Sequence, residues 1–345
     1  MPWHLYRSPG IMSAVGLARG ASVPLKRASV CNGHAELCSR NYGNVTFMGA
    51  HDSFAFSEDP LALARDQEVD IPTQLGLGVR LLQAQAHVNN GVLHFCHTSC
   101  DLFDGGTVQD YLTTVNTFLT ANPNEASGIA ALAYVPPQVP TAQSDWPTLG
   151  DLIDSGKRVI VFLDAGADTD RSVPYILPEF EMIWETPFSV TNASFPCSVD
   201  RIAGPLGTTD HMYLINHSLN INVLDTGIII SDPEAAPTTN GVTSILANAA
   251  GCEPLSAGRA PNFVLLDFVN IGQGLTAVNQ LNGLAQSAAV LLTPPRYVVA
   301  AFAVLMTLMT IILQDEARQF KARRVDVSFP RYFRLRTFDS LWHRA

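Results

Sequence analysis

Three runs constrain this chain most: VIVFLD ending at Asp164, MYLIN at 212–216 and FVLLDFV at 263–269. Each is apolar without alternation, and strands of that kind must be covered on both faces. Helix signals lie between such runs. A capping box from Thr107 to Asp110 opens a helix with Val108, Leu112, Val115 and Leu119 on one face, and Asn122-Pro123 stops it. A second capping box, Thr148 to Asp151, opens a shorter helix closed at Ser155-Gly156. Parallel strands joined by helices follow, and the fold expected is a TIM-like α/β barrel. A doubly wound sheet is disfavoured because no glycine-rich phosphate loop follows the first strand.

Several of these runs end in polar residues: His51-Asp52 after VTFMGA, Gln85 and His87 in VRLLQAQAH, His97 in VLHFCH, then Asp164 and Asp267. In a closed parallel barrel those ends converge on one rim, where active sites are built. Period two on a strand over 79–87 places Gln83, Gln85 and His87 on one face and Arg80 on the other; His97 shares a face with Phe95, and His94 faces away. Histidines and carboxylates at one mouth suit paired general acid–base chemistry.

The segments CNGHAELCSRNYGNVTFMGAHDS at 31–53, GVRLLQAQAH at 78–87 and LHFCHTSCDLFDGGTVQDYL at 93–112 resemble the fungal PLC-like phosphodiesterases. That family is related to bacterial phosphatidylinositol-specific phospholipase C and to the X domain of eukaryotic phospholipases C. The resemblance runs to about residue 274. It implies cleavage of a phosphodiester, with His51 as general base toward an inositol 2-hydroxyl and His97 as general acid toward the leaving oxygen. It also implies that Asp52 is the acidic residue following the first histidine, and Asp267 the late carboxylate that orients it. Gln83, Gln85, His87 and Asp164 are the remaining candidates, for substrate binding. Where calcium-dependent relatives carry a Glu and an Asp two residues apart, this chain has Gln83 and Gln85; neutral amides are poor ligands for a hard cation. No metal and no cofactor are expected there. Bacterial relatives place an arginine at the second of those positions, which is Gln85 here. Two rival readings stand beside hydrolysis: a catalytically silent barrel that binds lipid head groups or glycans, and a metallohydrolase using His51, His87, His97 and Asp267.

Charge and cysteine place the barrel outside the cytosol. The chain carries a formal net charge of -10, which argues against a nucleic-acid partner. Residues 28–296 hold nine Lys/Arg against 27 Asp/Glu, and basic ends flank this acidic body. The run YVVAAFAVLMTLMTIIL at 297–313 has no charge or helix breaker, and Arg318, Lys321, Arg323 and Arg324 follow it. A single membrane-spanning helix with a cytoplasmic tail at 314–345 is expected, with the barrel extracellular or lumenal and a phospholipid or other phosphodiester as its substrate. A buried core helix or a lipid-anchor signal would be the alternatives. Residues 1–27 form a poorly defined export or pro segment, and the barrel occupies 28–285. No run rich in β-branched residues appears between Glu125 and Val159, so one stave is expected to be missing.

Six cysteines allow fifteen pairings. Cys31 and Cys38 are close in sequence, as are Cys96 and Cys100, which leaves Cys197 with Cys252 if the local pairs form; a zinc site is the rival use. Sequons at Asn44, Asn192 and Asn216 permit glycosylation, with Asn192 and Asn216 the expected sites.

Overall fold

The computed structural model describes residues 27–121, 129–223 and 228–284. Nearly all of the export segment, the apolar run at 297–313, the basic tail and the junction at 122–128 lie outside the described residues. Among the described residues no helix is long and apolar enough to cross a membrane.

The chain runs from β1 (Phe47–Ala50) through helix α1 (Ile71–Gly76) to a short β2 (Leu81–Leu82). A small antiparallel unit comes next: β3 (Ala86–Asn89), β4 (Val92–Cys96) and β5 (Asp104–Thr107). Helices α2 (Val108–Ala121), α3 (Ile129–Leu132) and α4 (Leu149–Asp154) lead to β6 (Val161–Leu163) and β7 (Ile176–Pro178). After β8 (Ile183–Glu185) and β9 (Met212–Asn216) come a hairpin, β10 (Asn220–Asn222) with β11 (Ile229–Ser231), and helices α5 (Ala236–Thr239) and α6 (Val242–Cys252). Strand β12 (Phe263–Leu266) and helix α7 (Gly274–Leu281) complete the described chain.

Five strands form one parallel sheet in the order β2-β1-β12-β9-β8. Its unbroken apolar runs are explained by burial on both sides. Phe47, Phe263, Leu265, Met212, Leu214 and Ile183 fall in one core with Trp146, Leu149 and Leu152. Their alternates Met48, Ala50, Val264, Leu266, Tyr213, Ile215 and Trp184 fall in a second core, with Ile245 of α6 and Ala277 and Val278 of α7. Each buried side chain of leucine or phenylalanine size contributes about 1.5–3 kcal/mol, so both faces stabilise the sheet. Trp184 and Tyr213 stack across β8 and β9 with ring centroids 4.6 Å apart.

Both threonines cap their helices. Thr107 Oγ1 accepts from the Asp110 amide and donates to Asp110 Oδ2, and Thr148 does the same with Asp151. The α2 face expected from Val108, Leu112, Val115 and Leu119 is only half covered, and no residue of that helix is fully buried.

Two expectations about strands are corrected. The strand read over 79–87 is two strands, because the chain changes partner in the middle. Its first half pairs with β1, and the ladder runs on to Gln83, whose amide donates to the Ala50 carbonyl. From Gln85, whose carbonyl accepts from the Cys96 amide, the second half pairs with β4. β4 is therefore the far arm of an antiparallel hairpin and not the next parallel stave. The parallel α/β arrangement is present, but among the described residues the strands do not close into a ring. β6 and β7 pair in parallel as a separate ladder, preceded by a parallel bridge between Ala133 and Val159.

The six cysteines form Cys31–Cys38, Cys96–Cys100 and Cys197–Cys252. They close loops of 7, 4 and 55 residues, and loop-closure entropy ranks them by length. Replacing Cys197 and Cys252 by serine is expected to cost about 4 kcal/mol, against about 2 kcal/mol for the Cys96–Cys100 pair. Urea unfolding of the two double variants checks that order.

Candidate active site

Strand register brings the first pair together. Ala50 of β1 stands opposite Leu266 of β12, so the next residues, His51 and Asp267, emerge side by side at the C-terminal end of the sheet. His51 Nδ1 lies 2.8 Å from Asp267 Oδ1. His97 arrives from the end of β4, where the Cys96–Cys100 bridge closes the loop behind it. Its Nδ1 donates to the Ala64 carbonyl at 2.8 Å, and its Nε2 lies 3.7 Å from Asp52 Oδ2.

A feature of the backbone repeats at all three positions. The residues following His51, His97 and Asp267 are Asp52, Thr98 and Phe268, at φ 33°, 61° and 48°. None is glycine, and the left-handed region costs an ordinary residue about 1–2 kcal/mol. Each turns the chain sharply just after the candidate side chain. Such strain persists only where surrounding contacts over-determine it, and at the turns after His51 and Asp267 they do. Gln67, fully buried, donates from Nε2 to the carbonyls of His51 and Leu266 and accepts the Val269 amide on Oε1. Asn240 donates from Nδ2 to the carbonyls of Asp267 and Phe268. Gln83 Oε1 accepts the Asp52 amide at 2.7 Å.

Between the two rings sits a residue that the sequence did not single out. Asp66 is 1% exposed, and its Oδ2 lies 3.2 Å from His97 Nδ1 and 4.0 Å from His51 Nδ1. Ser231, the last residue of β11, reaches Asp66 Oδ1 with its hydroxyl and lies 2.6 Å from Asp267 Oδ2. The site thus joins three buried carboxylates to two half-buried imidazoles. Asp52 is the most isolated of them: it is 0% exposed, and among the described residues neither oxygen accepts a hydrogen bond.

The electrostatics follow from this crowding. Burial opposes charge on His51, but Asp267 at contact distance, with Asp52 and Asp66 behind it, outweighs burial and pushes the imidazole up to about 10. Burial raises the Asp52 carboxyl, with His51 and His97 pulling against it. Burial also pushes the Asp66 carboxyl up to about 7, reinforced by the charge of Asp267 and opposed by His51 and His97.

The other sequence candidates fall out differently. Gln83 holds the turn after His51 through its side-chain oxygen. Gln85 is half-buried and touches the site through the Cys96 amide that its carbonyl holds. His87 stands directly opposite His94 in the hairpin, so it shares the face of His94 and not that of Phe95; it acts on Asp52 less than His51, His97 and Asp267 do. His94 is bonded to Asp104 at 2.9 Å. Asp164 is exposed at the end of β6. It lines a cavity of about 280 Å³ with Glu179, Phe180 and Glu181, and neither catalytic candidate histidine borders that cavity. Asn216 is corrected as a glycan site. It is 6% exposed, and its Nδ2 donates to the Thr186 carbonyl. Asn192 is exposed.

Two sets, His51–Asp66–Asp267 and Asp52–Asp66–His97, bring possible metal-ligand atoms within 4.8 Å of one another. The two Nδ1 atoms are not free to coordinate. Both rings present Nδ1 to Asp66, and a nitrogen that donates to the Ala64 carbonyl or to Asp267 has no lone pair left to coordinate.

Known proteins share much of this chain. The family model described as PI-PLC X 1 matches residues 37–282. A "PI-PLC X domain-containing protein 1" of Arthroderma benhamiae is 42% identical over 293 residues, covering 76% of this chain and 93% of that protein. An "Uncharacterized secreted protein" of the same fungus is 41% identical over 272 residues, covering 70% of this chain and 60% of its own length. No solved structure matches. On the span of the family match and the identity to a relative covered nearly end to end, the chain belongs to the PI-PLC X family.

Proposed function

We propose that the chain hydrolyses a phosphodiester by paired acid–base catalysis at His51 and His97, without a metal, on a phosphoinositide or glycosylphosphatidylinositol-like lipid. The observation that carries this reading is the shared carboxylate: both Nδ1 atoms lie within 4.0 Å of Asp66 Oδ2, so both rings fall within reach of one phosphate group. Donation from His51 Nδ1 to Asp267 leaves Nε2 as the base that takes the proton of the inositol 2-hydroxyl. That oxygen bonds to phosphorus while the bond to the leaving oxygen breaks, and His97 Nε2 delivers a proton to the leaving group. A positioned proton transfer of this kind is worth roughly 10²–10⁴-fold.

Metal independence is supported by the neutral amides at Gln83 and Gln85 and by the engagement of both Nδ1 atoms. The arginine nearest these positions in the sequence is turned elsewhere: Arg80 donates to the Leu75 and Val79 carbonyls. The imidazolium that forms on His51 as it takes the hydroxyl proton is then a cation beside the phosphate. We read the five-stranded sheet as the preserved wall of a TIM-like barrel, which β6 and β7 would continue. Three disulfides favour export to an oxidising compartment, and the relative named as secreted fits the same destination. A single-pass anchor at 297–313 would hold the site against its membrane substrate. One observation favours the rival reading of a silent binder: neither the arginine nor the carboxylates of active relatives stand at positions 83 and 85.

Phosphatidylinositol vesicle hydrolysis is expected to survive chelator and to fall at least about 100-fold in His51→Ala and in His97→Ala. Undiminished turnover in either variant would refute the acid–base pair. The pH dependence has a definite sign. With His51 held up to about 10, its base form is scarce at neutral pH, so the rate should climb with pH for as long as the general acid keeps its proton. Asp267→Asn removes the nearest negative charge, so the limb should move to lower pH while the plateau falls; a pH–rate profile of the two proteins checks both effects.

A further inference from the structure

Ser231 poses a problem of proton counting. Its hydroxyl reaches Asp66 Oδ1 on one side and Asp267 Oδ2, at 2.6 Å, on the other. A hydroxyl has one hydrogen and can donate to one carboxylate. The second contact then sets two oxygens against each other unless that carboxyl brings a hydrogen of its own. Asp267 is the poorer candidate, because His51 donates to its other oxygen at 2.8 Å, and a hydrogen bond from that ring favours the charged carboxylate. The remaining oxygen of Asp66, Oδ2, accepts no hydrogen bond among the described residues, and the His97 Nδ1 hydrogen beside it points to the Ala64 carbonyl.

We propose that Asp66 and Asp267 share one proton through Ser231, that Asp66 holds it in the resting site, and that Asp66 is thereby a positioning residue tying the His97 ring to the His51 ring. Oδ1–H of Asp66 donates to Ser231 Oγ, and Ser231 donates to Asp267 Oδ2. The burial that pushes the Asp66 carboxyl up to about 7 is in keeping with this arrangement. The titratable groups facing Asp66 are His51 and Asp52 from the end of β1, His97 from the end of β4 and Asp267 from the end of β12. Within its own segment, Arg65 turns away, reaching the Asp59 carbonyl and Glu68. When Asp66 releases its proton to solvent, Ser231 is left with one hydrogen between two carboxylates, and a new negative charge stands beside both rings. The array that aligns them loosens near neutrality.

The kinetic arm of this inference rests on the phosphodiesterase reading; the spectroscopic arm does not. Infrared difference spectra of the full chain, titrated from about pH 5 to 9, should show a carboxylic-acid C=O band that disappears near pH 7 and is missing in Asp66→Asn. Should that variant fail to fold, Ser231→Ala decides: loss of the hydrogen-bond acceptor must shift the band in frequency. In vesicle hydrolysis, the kcat/KM profile should show a break near pH 7 that Asp66→Asn removes. Absence of any protonated carboxyl above about pH 5, or a band insensitive to Asp66→Asn and Ser231→Ala alike, would overturn the shared proton. If the band is present but the wild-type protein hydrolyses no vesicles, the phosphodiesterase reading fails and the shared proton stands. If hydrolysis needs both histidines but no band is seen, the phosphodiesterase reading stands and the shared proton fails.

Discussion

Three carboxylates buried against one another are what the rest of this structure has to accommodate. Two like charges 4 Å apart repel by about 4 kcal/mol even at an effective dielectric of 20, and burial penalises each charge further. Asp52, Asp66 and Asp267 persist together because two imidazoles and one hydroxyl are set among them. The strong pull on the His51 proton, the raised Asp66 carboxyl and the bridging place of Ser231 are three expressions of that one balance.

Such a balance requires the side chains to be held rigidly, and the parallel sheet supplies the first fixed points. Adjacent strands deliver adjacent residues to the same end, which is why His51 and Asp267 meet with no further device. His97 lacks that advantage, since it comes from a hairpin arm outside the sheet. Its position depends on the Cys96–Cys100 loop, on the left-handed turn at Thr98 and on the Ala64 carbonyl that fixes its ring. Gln67 and Asn240 then lock the turns after His51 and Asp267 through backbone carbonyls. A buried side-chain amide left without its partners costs about 1–3 kcal/mol, so these two act as bolts.

Much of this was legible in the sequence, for physical reasons. Unalternating apolar runs such as MYLIN can be buried only on both sides, and both cores are present. Capping boxes and close cysteine pairs are local, so Thr107, Thr148 and the Cys31–Cys38 and Cys96–Cys100 bridges could be read without tertiary information. The failures share a cause as well. Periodicity over 79–87 assumed a single pairing partner, and a strand that changes partner at Ala84 places His87 on another face. The sequon at Asn216 could not reveal that its amide would be consumed by Thr186. Asp66 and Gln67 lie in a loop with no periodicity to mark them. Ser231 did carry a signal: it ends the run GIIIS at 227–231 just as His51 and Asp267 end theirs.

The central claim is that one imidazole activates a hydroxyl of the substrate itself while the other protonates the departing oxygen at the same phosphorus. Phosphorus NMR of a phosphatidylinositol reaction followed from its first turnovers tests this most directly. A cyclic inositol phosphodiester should accumulate first and open only later to the monoester. Appearance of the open monoester from the outset, with solvent oxygen incorporated and no cyclic species, would contradict it, because water and not the neighbouring hydroxyl would then be the nucleophile that His51 serves.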